Sequence, residues 1–393
     1  MDKYFLKTII ATLLFSGYTS VSAQHAGATD GYQLVWQDEF NGSALNTSVW
    51  GVGNDGNGGG NQELEYYLPQ NVSVGVEPMS GENCLILTAK LENYSGHVCT
   101  SGKVNTSGRM SFRYGKLEAR IKLPKTGNGL WPAFWLMGIS GGWPGCGEID
   151  VMEMGSKNGI TAGTQEKYFG GALHFGQGTD LGGGSSRAWF YSLQDTFHLY
   201  TLIWDANTIS MYIDLDAYPN DNPANPDNPA YFMRTITENS STTNVGYYFH
   251  NPFYVILNLA IGGTYTGITG NSNIDQITAF SKAPDGEPKM YIDYVRVYQL
   301  GNPDEVYNGP PLTDIRVPTP ESLKIGTDPV TGDIQVDAAE IPKSIALYDM
   351  MGQKIMKVYK TGRIYTSSLP KGCYIAKIET SAGEVESCKF IKK

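Results

Sequence analysis

The chain has 393 residues, and its 29 Lys plus Arg against 39 Asp plus Glu give a formal net charge of −10. This acidic balance disfavours nucleic acid and anionic membrane surfaces as partners, and it suits a neutral glycan. The 25 tyrosines and 47 glycines are typical of an all-β protein with many turns, and the length allows one large core plus a small domain.

Residues 1–23 are predicted to be a signal peptide. Lys3 and Lys7 precede a short apolar stretch over 8–15, and small residues lead to Ala23. The stretch is much shorter than the roughly 20 apolar residues that a membrane span needs. The sequence therefore predicts an exported protein with no membrane span, and a retained amphipathic N-terminus is the alternative.

Residues 32–300 are predicted to form one all-β unit. Two packed antiparallel sheets would each bury one face, and a chain of this size can curve one sheet into a groove for a polymer. The segment that ends near Leu300 is expected to close the domain. Apolar or alternating segments between Gly, Asn and Pro clusters carry this prediction: 85–89, 115–121, 200–204, 254–259 and 290–298.

The chain contains five cysteines, so an exported protein would keep at least one unpaired. Cys84 and Cys99 flank a predicted hairpin, and Cys373 and Cys388 flank a predicted turn, so each pair could form a disulfide and leave Cys146 free. Five small buried thiols are an equally compatible alternative, because pairing cannot be deduced from sequence.

Three carboxylates, Glu148, Asp150 and Glu153, lie within six residues of a strand-like segment. Retaining glycosidases use two carboxyl groups about 5 to 5.5 Å apart, and two residues along a strand rise about 6.6 Å. Alternation puts Glu148 and Asp150 on one face and Glu153 on the other. A bulge at Val151 or Met152 would return Glu153 to the first face. The pattern suggests a glycosidase; the alternative is an ordinary strand with one polar face.

Three tryptophans surround this motif. Trp131 and Trp135 lie just upstream, and Trp143 leads into the carboxylates. Aromatic rings stack on the apolar faces of sugars. The prolines that follow Trp131 and Trp143 indicate strand ends or loops, whereas Trp135 could equally be a core residue. The tryptophans thus predict a sugar-binding surface.

Residues 301–325 are rich in proline and are predicted to be a linker. Beyond it, 326–393 is predicted to be a small β-sandwich-like domain with strands near 345–355, 369–378 and 384–393. A carbohydrate-binding accessory module is the alternative for this region.

Residues 32–300 resemble glycoside hydrolase family 16, within its laminarinase-like endo-β-1,3-glucanase branch. The resemblance implies a jelly-roll β-sandwich with a concave glycan-binding cleft, a retaining mechanism and no cofactor for catalysis; we expect a monomer. The segments that carry it are 36–40, 61–67, 111–120, 130–135 and the Glu-x-Asp-x-x-Glu motif.

By motif position, the resemblance implies that Glu148 is the nucleophile, that Asp150 positions and tunes it, and that Glu153 is the acid/base. The resemblance also implies substrate-binding residues, although Asn61 could only cap a turn and His174 could be a satisfied core histidine. The expected substrate-binding residues are Trp131, Trp135, Trp143, Asn61, Lys103 and His174.

The same branch implies a structural Ca²⁺ far from the cleft, with Glu39, the Gly81 carbonyl and Asp293 as ligands. The tail resembles the sorting domain of the type IX secretion system, through residues 348–352 and 369–375. This implies the type IX machinery as a partner and a secreted or cell-surface protein.

Other functions stay open at this point. Hydrolysis of mixed-linkage β-1,3-1,4-glucan or of a galactan would use the same carboxylates. A non-catalytic glycan-binding sandwich would not require three carboxylates. A structural surface protein would not explain the tryptophans beside the motif.

Overall fold

The computed structural model describes residues 31–189, 191–215 and 230–312. In the C-terminal part it describes 324–327, 334–337, 342–349, 354–359, 363–364, 369–370, 372–379 and 385–392. The predicted signal peptide lies outside the described residues. Within these ranges, no helix has the length and apolar character needed to cross a membrane.

The first sheet has eight strands. Their bounds are β1 Gln33–Asp38, β4 Val72–Val76, β5 Asn83–Thr88, β9 Gly115–Lys122, β14 Phe197–Trp204, β15 Thr208–Ile213, β16 Phe232–Thr235 and β18 Lys289–Gln299. Seven of them follow the order β16-β15-β14-β9-β18-β5-β4 across the sheet, and β1 pairs with β18. All these pairings are antiparallel.

The second sheet has nine strands in the order β13-β12-β11-β10-β17-β7-β2, with β8 pairing with β17 and β19 with β8. Its long central strands, β10, β11 and β17, carry the tryptophans and the carboxylate motif. The bounds are β2 Gly51–Val52, β7 Lys103–Asn105, β8 Ser111–Arg113, β10 Leu130–Gly138, β11 Glu148–Met154, β12 Tyr168–His174, β13 Gly183–Ala188, β17 Phe253–Ile261 and β19 Val306–Asn308.

The two sheets pack face to face around one core, which is the predicted sandwich. Strand β9 shows the sequence cause: Leu117, Ala119 and Ile121 alternate with polar residues and are fully buried in that core. Alternation with period two places every second side chain on the same face. The expectation of an all-β jelly-roll sandwich is confirmed.

Short elements connect the strands. Helix α1, Lys157–Ala162, begins where the Ser156 hydroxyl accepts a hydrogen bond from the Gly159 N–H, and it ends at Gly163 in the left-handed conformation. A small parallel pair joins β3 Glu65–Tyr67 to β6 Cys99–Ser101. Single 3₁₀ turns lie at Gly58–Gly60, Pro69–Asn71, Val245–Tyr248, Asn271–Gln276 and Ala279–Lys282.

The C-terminal part forms a separate small β unit with its own core, which includes Ile345, Leu347 and Ile378. One sheet has the order β20-β21-β24 and the other the order β23-β22-β25-β26. The second small domain predicted from the sequence is therefore present. Its strands are β20 Lys324–Thr327, β21 Ile334–Asp337, β22 Ser344–Asp349, β23 Lys354–Tyr359, β24 Arg363–Ile364, β25 Gly372–Glu379 and β26 Val385–Lys392.

The large domain extends past the predicted boundary at 300. Within the stretch predicted as linker, β19 pairs with Ser111–Arg113 of β8, and the Glu305 carboxylate accepts hydrogen bonds from the N–H groups of Leu300 and Gly301. Proline content alone suggested a linker, but the backbone of Val306–Asn308 pairs with the second sheet.

The predicted Cys84–Cys99 disulfide is wrong, because both residues are free and buried, as is Cys146. Cys84 lies on β5 between β4 and β18, whereas β6 carries Cys99 beside β3, so the predicted hairpin does not form. In the tail, the register places Cys373 opposite Ile391 and Cys388 opposite Ala376. The side chains of these two cysteines lie outside what the structure describes, so their pairing stays a prediction.

Candidate active site

The three motif carboxylates lie along β11 and line one cleft on the outer face of the second sheet. Against β12, Asp150 pairs with Ala172 while Glu153 pairs with Gly170, so β11 carries one extra residue between them. The predicted bulge is therefore present. It returns Glu153 to the face of Glu148 and Asp150.

The bulge is held from inside the sandwich. Val151 and Met152 are both fully buried in the core, and the Tyr231 hydroxyl donates a hydrogen bond to the Val151 carbonyl. Gly171 lies on the facing strand, where a Cβ would come within 2.9 Å of the Asp150 carbonyl oxygen. A glycine is required there because the bulged backbone leaves no room for a side chain.

All nine residues predicted to act in catalysis or substrate binding line this cleft, which has a volume of about 800 Å³. The residues that the structure brings together are Asn61, Lys103, Trp131, Trp135, Trp143, Glu148, Asp150, Glu153 and His174. Six of them lie on the adjacent strands β10, β11 and β12 and Lys103 lies on β7, whereas Asn61 and Trp143 lie in loops.

Each glutamate has an indole partner. Trp143 Nε1 donates to Glu148 Oε2 at 3.0 Å, and Trp131 Nε1 donates to Glu153 Oε1 at 3.0 Å. The Trp131 ring stacks on Tyr265, with ring centres 4.7 Å apart. Trp143 is largely exposed, with 56% of its surface accessible, so its ring is free to contact a polymer.

The cleft raises the pKa of all three carboxyl groups. Burial is the main cause for Glu148, opposed by His174 and by the Trp143 hydrogen bond. Burial also raises the pKa of Asp150 well above its usual range, and the charges of Glu148 and Glu153 add to it. Burial raises the pKa of Glu153 to about 7, although the Trp131 hydrogen bond opposes the shift. A neutral Glu153 can therefore donate a proton near neutral pH.

The remaining predicted contacts have partners within the protein. Lys103 forms an ion pair with Asp55 at 3.0 Å and lies over the Tyr67 ring. The Trp135 indole donates to Asn258 Oδ1 at 2.7 Å, so Trp135 is a half-buried cleft residue and does not belong to the core. Asn61 donates weakly to the Gly59 carbonyl at 3.3 Å, and thus both braces its glycine-rich loop and lines the cleft.

Residue Glu63 is a cleft residue that the motif analysis missed as a site residue. It accepts hydrogen bonds from Tyr67 at 3.3 Å and from Asn61 at 3.4 Å. Behind it, burial and the charge of Glu63 raise the pKa of Glu65 well above its usual range. The sequence does contain a signal for this group. Glu63, Glu65 and Tyr67 are spaced two residues apart, and strand alternation sends side chains at that spacing to the same side.

Oxygen and nitrogen atoms of Glu148, Asp150 and His174 lie within 4.8 Å of one another. We assign this cluster to proton chemistry, since burial raises the pKa of both carboxyl groups and a histidine lies beside them.

The predicted calcium ligands are placed differently from what an ion requires. Both carboxylate oxygens of Glu39 accept hydrogen bonds from Arg296, at 2.6 and 2.8 Å, and Asp293 Oδ2 lies 2.6 Å from Arg120. Ca²⁺ would need these side-chain oxygens as ligands, but guanidinium groups already hold them. The residues as placed therefore do not fit the ion. Calcium stays a prediction, which a comparison of Tm in EDTA and in CaCl₂ would test.

Comparison with known proteins decides the family. The model of glycosyl hydrolases family 16 matches residues 67–276, more than half of the chain. This chain belongs to glycosyl hydrolases family 16. It is therefore a glycoside hydrolase, and its sandwich and cleft are those of that family. A second model, the secretion system C-terminal sorting domain, matches residues 328–393 and indicates secretion or attachment at the cell surface.

Several of the similar proteins are named for glucan hydrolysis. The chain is 30% identical to a "Beta-glucanase" from Rhodothermus marinus over 76% of this chain and 96% of that protein. It is 33% identical to "Glucan endo-1,3-beta-glucosidase A1" from Niallia circulans over 69% of this chain, but spans only 38% of that longer protein. A Bacteroides ovatus family 16 structure was solved with a mixed-linkage glucan product. It is 37% identical to this chain over 67% of this chain and 99% of that one, and the two superpose with a TM-score of 0.55.

Proposed function

We propose that this family 16 enzyme is a retaining endo-glycosidase that hydrolyses β-1,3-glucan, with Glu148 as nucleophile and Glu153 as acid/base. The observation that carries the proposal is the bulge of β11, which puts Glu153, with a pKa of about 7, on the same face as Glu148. A nucleophile and a protonated acid on one wall of a cleft are the groups that retention requires.

The proposed reaction has two steps. Glu148 attacks the anomeric carbon while Glu153 gives its proton to the leaving glycosidic oxygen, which produces a covalent glycosyl-enzyme. Glu153, now ionised, takes a proton from a water molecule as the water oxygen attacks the anomeric carbon. This breaks the bond to Glu148 and releases the sugar with its original anomeric configuration. Asp150 discourages full ionisation of the trio, because three adjacent charges in a buried cleft repel one another.

The substrate is proposed to be a neutral glucan. Among the residues described as lining the cleft, Lys103 is the sole Lys or Arg, and Asp55 already neutralises it. A polysulfated galactan would need several free cations. The name of the Niallia relative supports a glucan with β-1,3 bonds, and that of the Rhodothermus relative supports a β-glucan.

Mixed-linkage β-1,3-1,4-glucan is the second candidate. The Bacteroides ovatus enzyme, which was solved with such a product, shares more of its sequence with this chain than either of the curated relatives above. The same two carboxylates would act, so the two candidates differ only in which linkage the cleft accepts at the cleaved bond.

Product analysis on laminarin, curdlan, lichenan and agarose, run side by side, tests the proposal. We expect short oligosaccharides from laminarin and curdlan early in the reaction, as endo cleavage produces, and a β-anomer as the first product in a proton NMR time course. Preferential cleavage of lichenan would favour the second candidate. An initial α-anomer would exclude retention, and binding of laminarin without hydrolysis would indicate a glycan-binding protein.

A further inference from the structure

His174 lies between two carboxylates. Its Nδ1 is 2.6 Å from Asp180 Oδ2, and its Nε2 is 3.4 Å from Asp150 Oδ2. The ring lies beside Trp143, with ring centres 6.3 Å apart, and Trp143 holds the proposed nucleophile Glu148. A chain of polar groups therefore runs from Asp180 through His174 to Asp150.

Asp180 is fixed by its own backbone surroundings. Its Oδ1 accepts hydrogen bonds from the N–H groups of Gly182 at 2.8 Å and Phe175 at 3.2 Å, which leaves Oδ2 facing the imidazole. Partial burial opposes ionisation, but the hydrogen bonds from His174 and Gly182 lower the pKa of Asp180 overall. An ionised carboxylate only accepts, so the proton of this bond is on Nδ1 of His174.

That assignment decides what the other ring nitrogen can do. Asp150 Oδ2 is buried and has no hydrogen-bond partner among the described residues, and His174 Nε2 lies 3.4 Å from it. Nδ1 is already protonated. One proton shared between Nε2 and Oδ2 would therefore give both atoms a hydrogen bond once they move slightly closer together. The neighbouring strand β13 contributes only Gly183 and Gly184 near this end of β12. The titratable groups that face the ring are Glu148, Asp150, Glu153 and Asp180.

We propose that Asp180 is a positioning residue for the hydrolysis: it fixes the Nδ1–H form of His174, so that Nε2 shares one proton with Asp150 beside the nucleophile. The proposal rests on the function proposed above for Glu148 and Glu153. The shared proton sets the charge of the His174–Asp150 pair that Glu148 and Glu153 face, so the proton arrangement that Asp180 maintains sets the pH range of activity.

The test is Asp180→Asn, read as the pH profile of kcat/KM on laminarin. The amide oxygen can keep the two backbone hydrogen bonds, while its NH₂ faces Nδ1 and favours the Nε2–H form of a neutral ring. That form leaves the His174–Asp150 pair with one proton fewer, and the added negative charge raises the pKa of Glu148 and of Glu153. We expect both limbs of the profile to move to higher pH, the acid limb by about one unit, with a roughly tenfold loss of kcat/KM at pH values on that limb.

Asp205→Asn is the matched control. Asp205 also accepts two backbone N–H bonds, from Asn207 and Thr208 at 2.7 Å, but it is exposed and outside the cleft. Its profile should not move. In a His174→Asn background, adding Asp180→Asn should move the limbs no further, because Asp180 acts through the ring. Unmoved limbs in Asp180→Asn, or an equal shift in both backgrounds, would overturn the proposal.

Nitrogen-15 NMR of labelled histidine gives a readout that does not need activity. The chain has five histidines, and the His174→Asn spectrum assigns the signal of His174. We expect a protonated Nδ1 in the wild-type protein and an Nε2–H form in Asp180→Asn. A wild-type ring with bare Nδ1 would end this proposal and leave the proposed hydrolysis intact, whereas absence of hydrolysis on every glucan would end the proposed function and leave the NMR result standing.

Discussion

The outer faces of the two sheets both carry carboxylates, but their surroundings differ. On the first sheet, Glu39 is paired with Arg296, Asp293 with Arg120, and Glu77 with Lys122, all at 3.0 Å or less. In the cleft of the second sheet, Glu148 and Glu153 have indole partners and, within the described part of the chain, no Lys or Arg partner, and burial raises the pKa of each. Cation pairing gives the first set a structural role, whereas the raised pKa values of the second set leave it able to exchange protons.

Replacing the nucleophile should give the largest effect on activity. In Glu148→Gln the amide keeps the shape and the Trp143 contact but cannot attack the anomeric carbon, so we expect kcat on laminarin to fall about 10⁴-fold or more. Binding of the glucan, measured by calorimetry, should remain close to that of the wild type. Turnover near the wild-type rate would show that Glu148 is not the nucleophile.

Replacing the acid should have a smaller and rescuable effect. Glu153→Ala removes the proton donor, which is worth about 10² to 10⁴ in rate. Aryl glycosides with good leaving groups need no protonation, so they should lose much less, and azide should give a glycosyl azide product with retained configuration. If neither route restores turnover, Glu153 is not the acid/base.

On the outer face of the first sheet, breaking an ion pair should lower the stability of the fold and leave the activity unchanged. Arg296 is buried and binds Glu39 through two hydrogen bonds, so Arg296→Met leaves a carboxylate without its cation. We expect the free energy of unfolding to fall by about 3 kcal/mol in urea titrations, with kcat/KM unchanged at temperatures where the fold persists. Adding Glu39→Gln should recover part of the loss. A large drop in kcat/KM for the folded variant would contradict the separation of the two faces.

Removing a cleft carboxylate should instead stabilise the protein, in a pH-dependent way. Burial raises the pKa of Glu153 to about 7 from an ordinary 4.5, so the folded state loses stability as pH rises through that window. Glu153→Gln should therefore gain little near pH 4 and about 3 kcal/mol above pH 7.5, as measured by urea unfolding. The exposed Glu166→Gln variant is the control and should change little at either pH. An equal gain at both pH values would rule out ionisation as the cause.

Removing the tail should have the smallest effect on catalysis. A protein that ends at residue 323 keeps both sheets and the cleft, so kcat/KM of the purified enzyme on laminarin should match that of the full chain. Export to the cell surface or medium of the native host should be lost, as assayed by immunoblotting of cell fractions. Normal export together with weaker binding to insoluble glucan would make the tail a binding module.

The sequence by itself determined the all-β class, the carboxylate trio and the need for a bulge, because strand alternation is a local property that leaves Glu153 on the wrong face without an extra residue. The tertiary structure decided what depends on partners distant in the chain. Cys84 and Cys99 belong to strands with different neighbours, and residues 306–308 pair with β8 despite the proline-rich sequence around them. Likewise, no local pattern marks Asn258 of β17 as a cleft residue that accepts a hydrogen bond from Trp135. Its role arises only where antiparallel pairing brings β10 and β17 together, since this hydrogen-bond partner is chosen by distance in space and not by spacing in the chain.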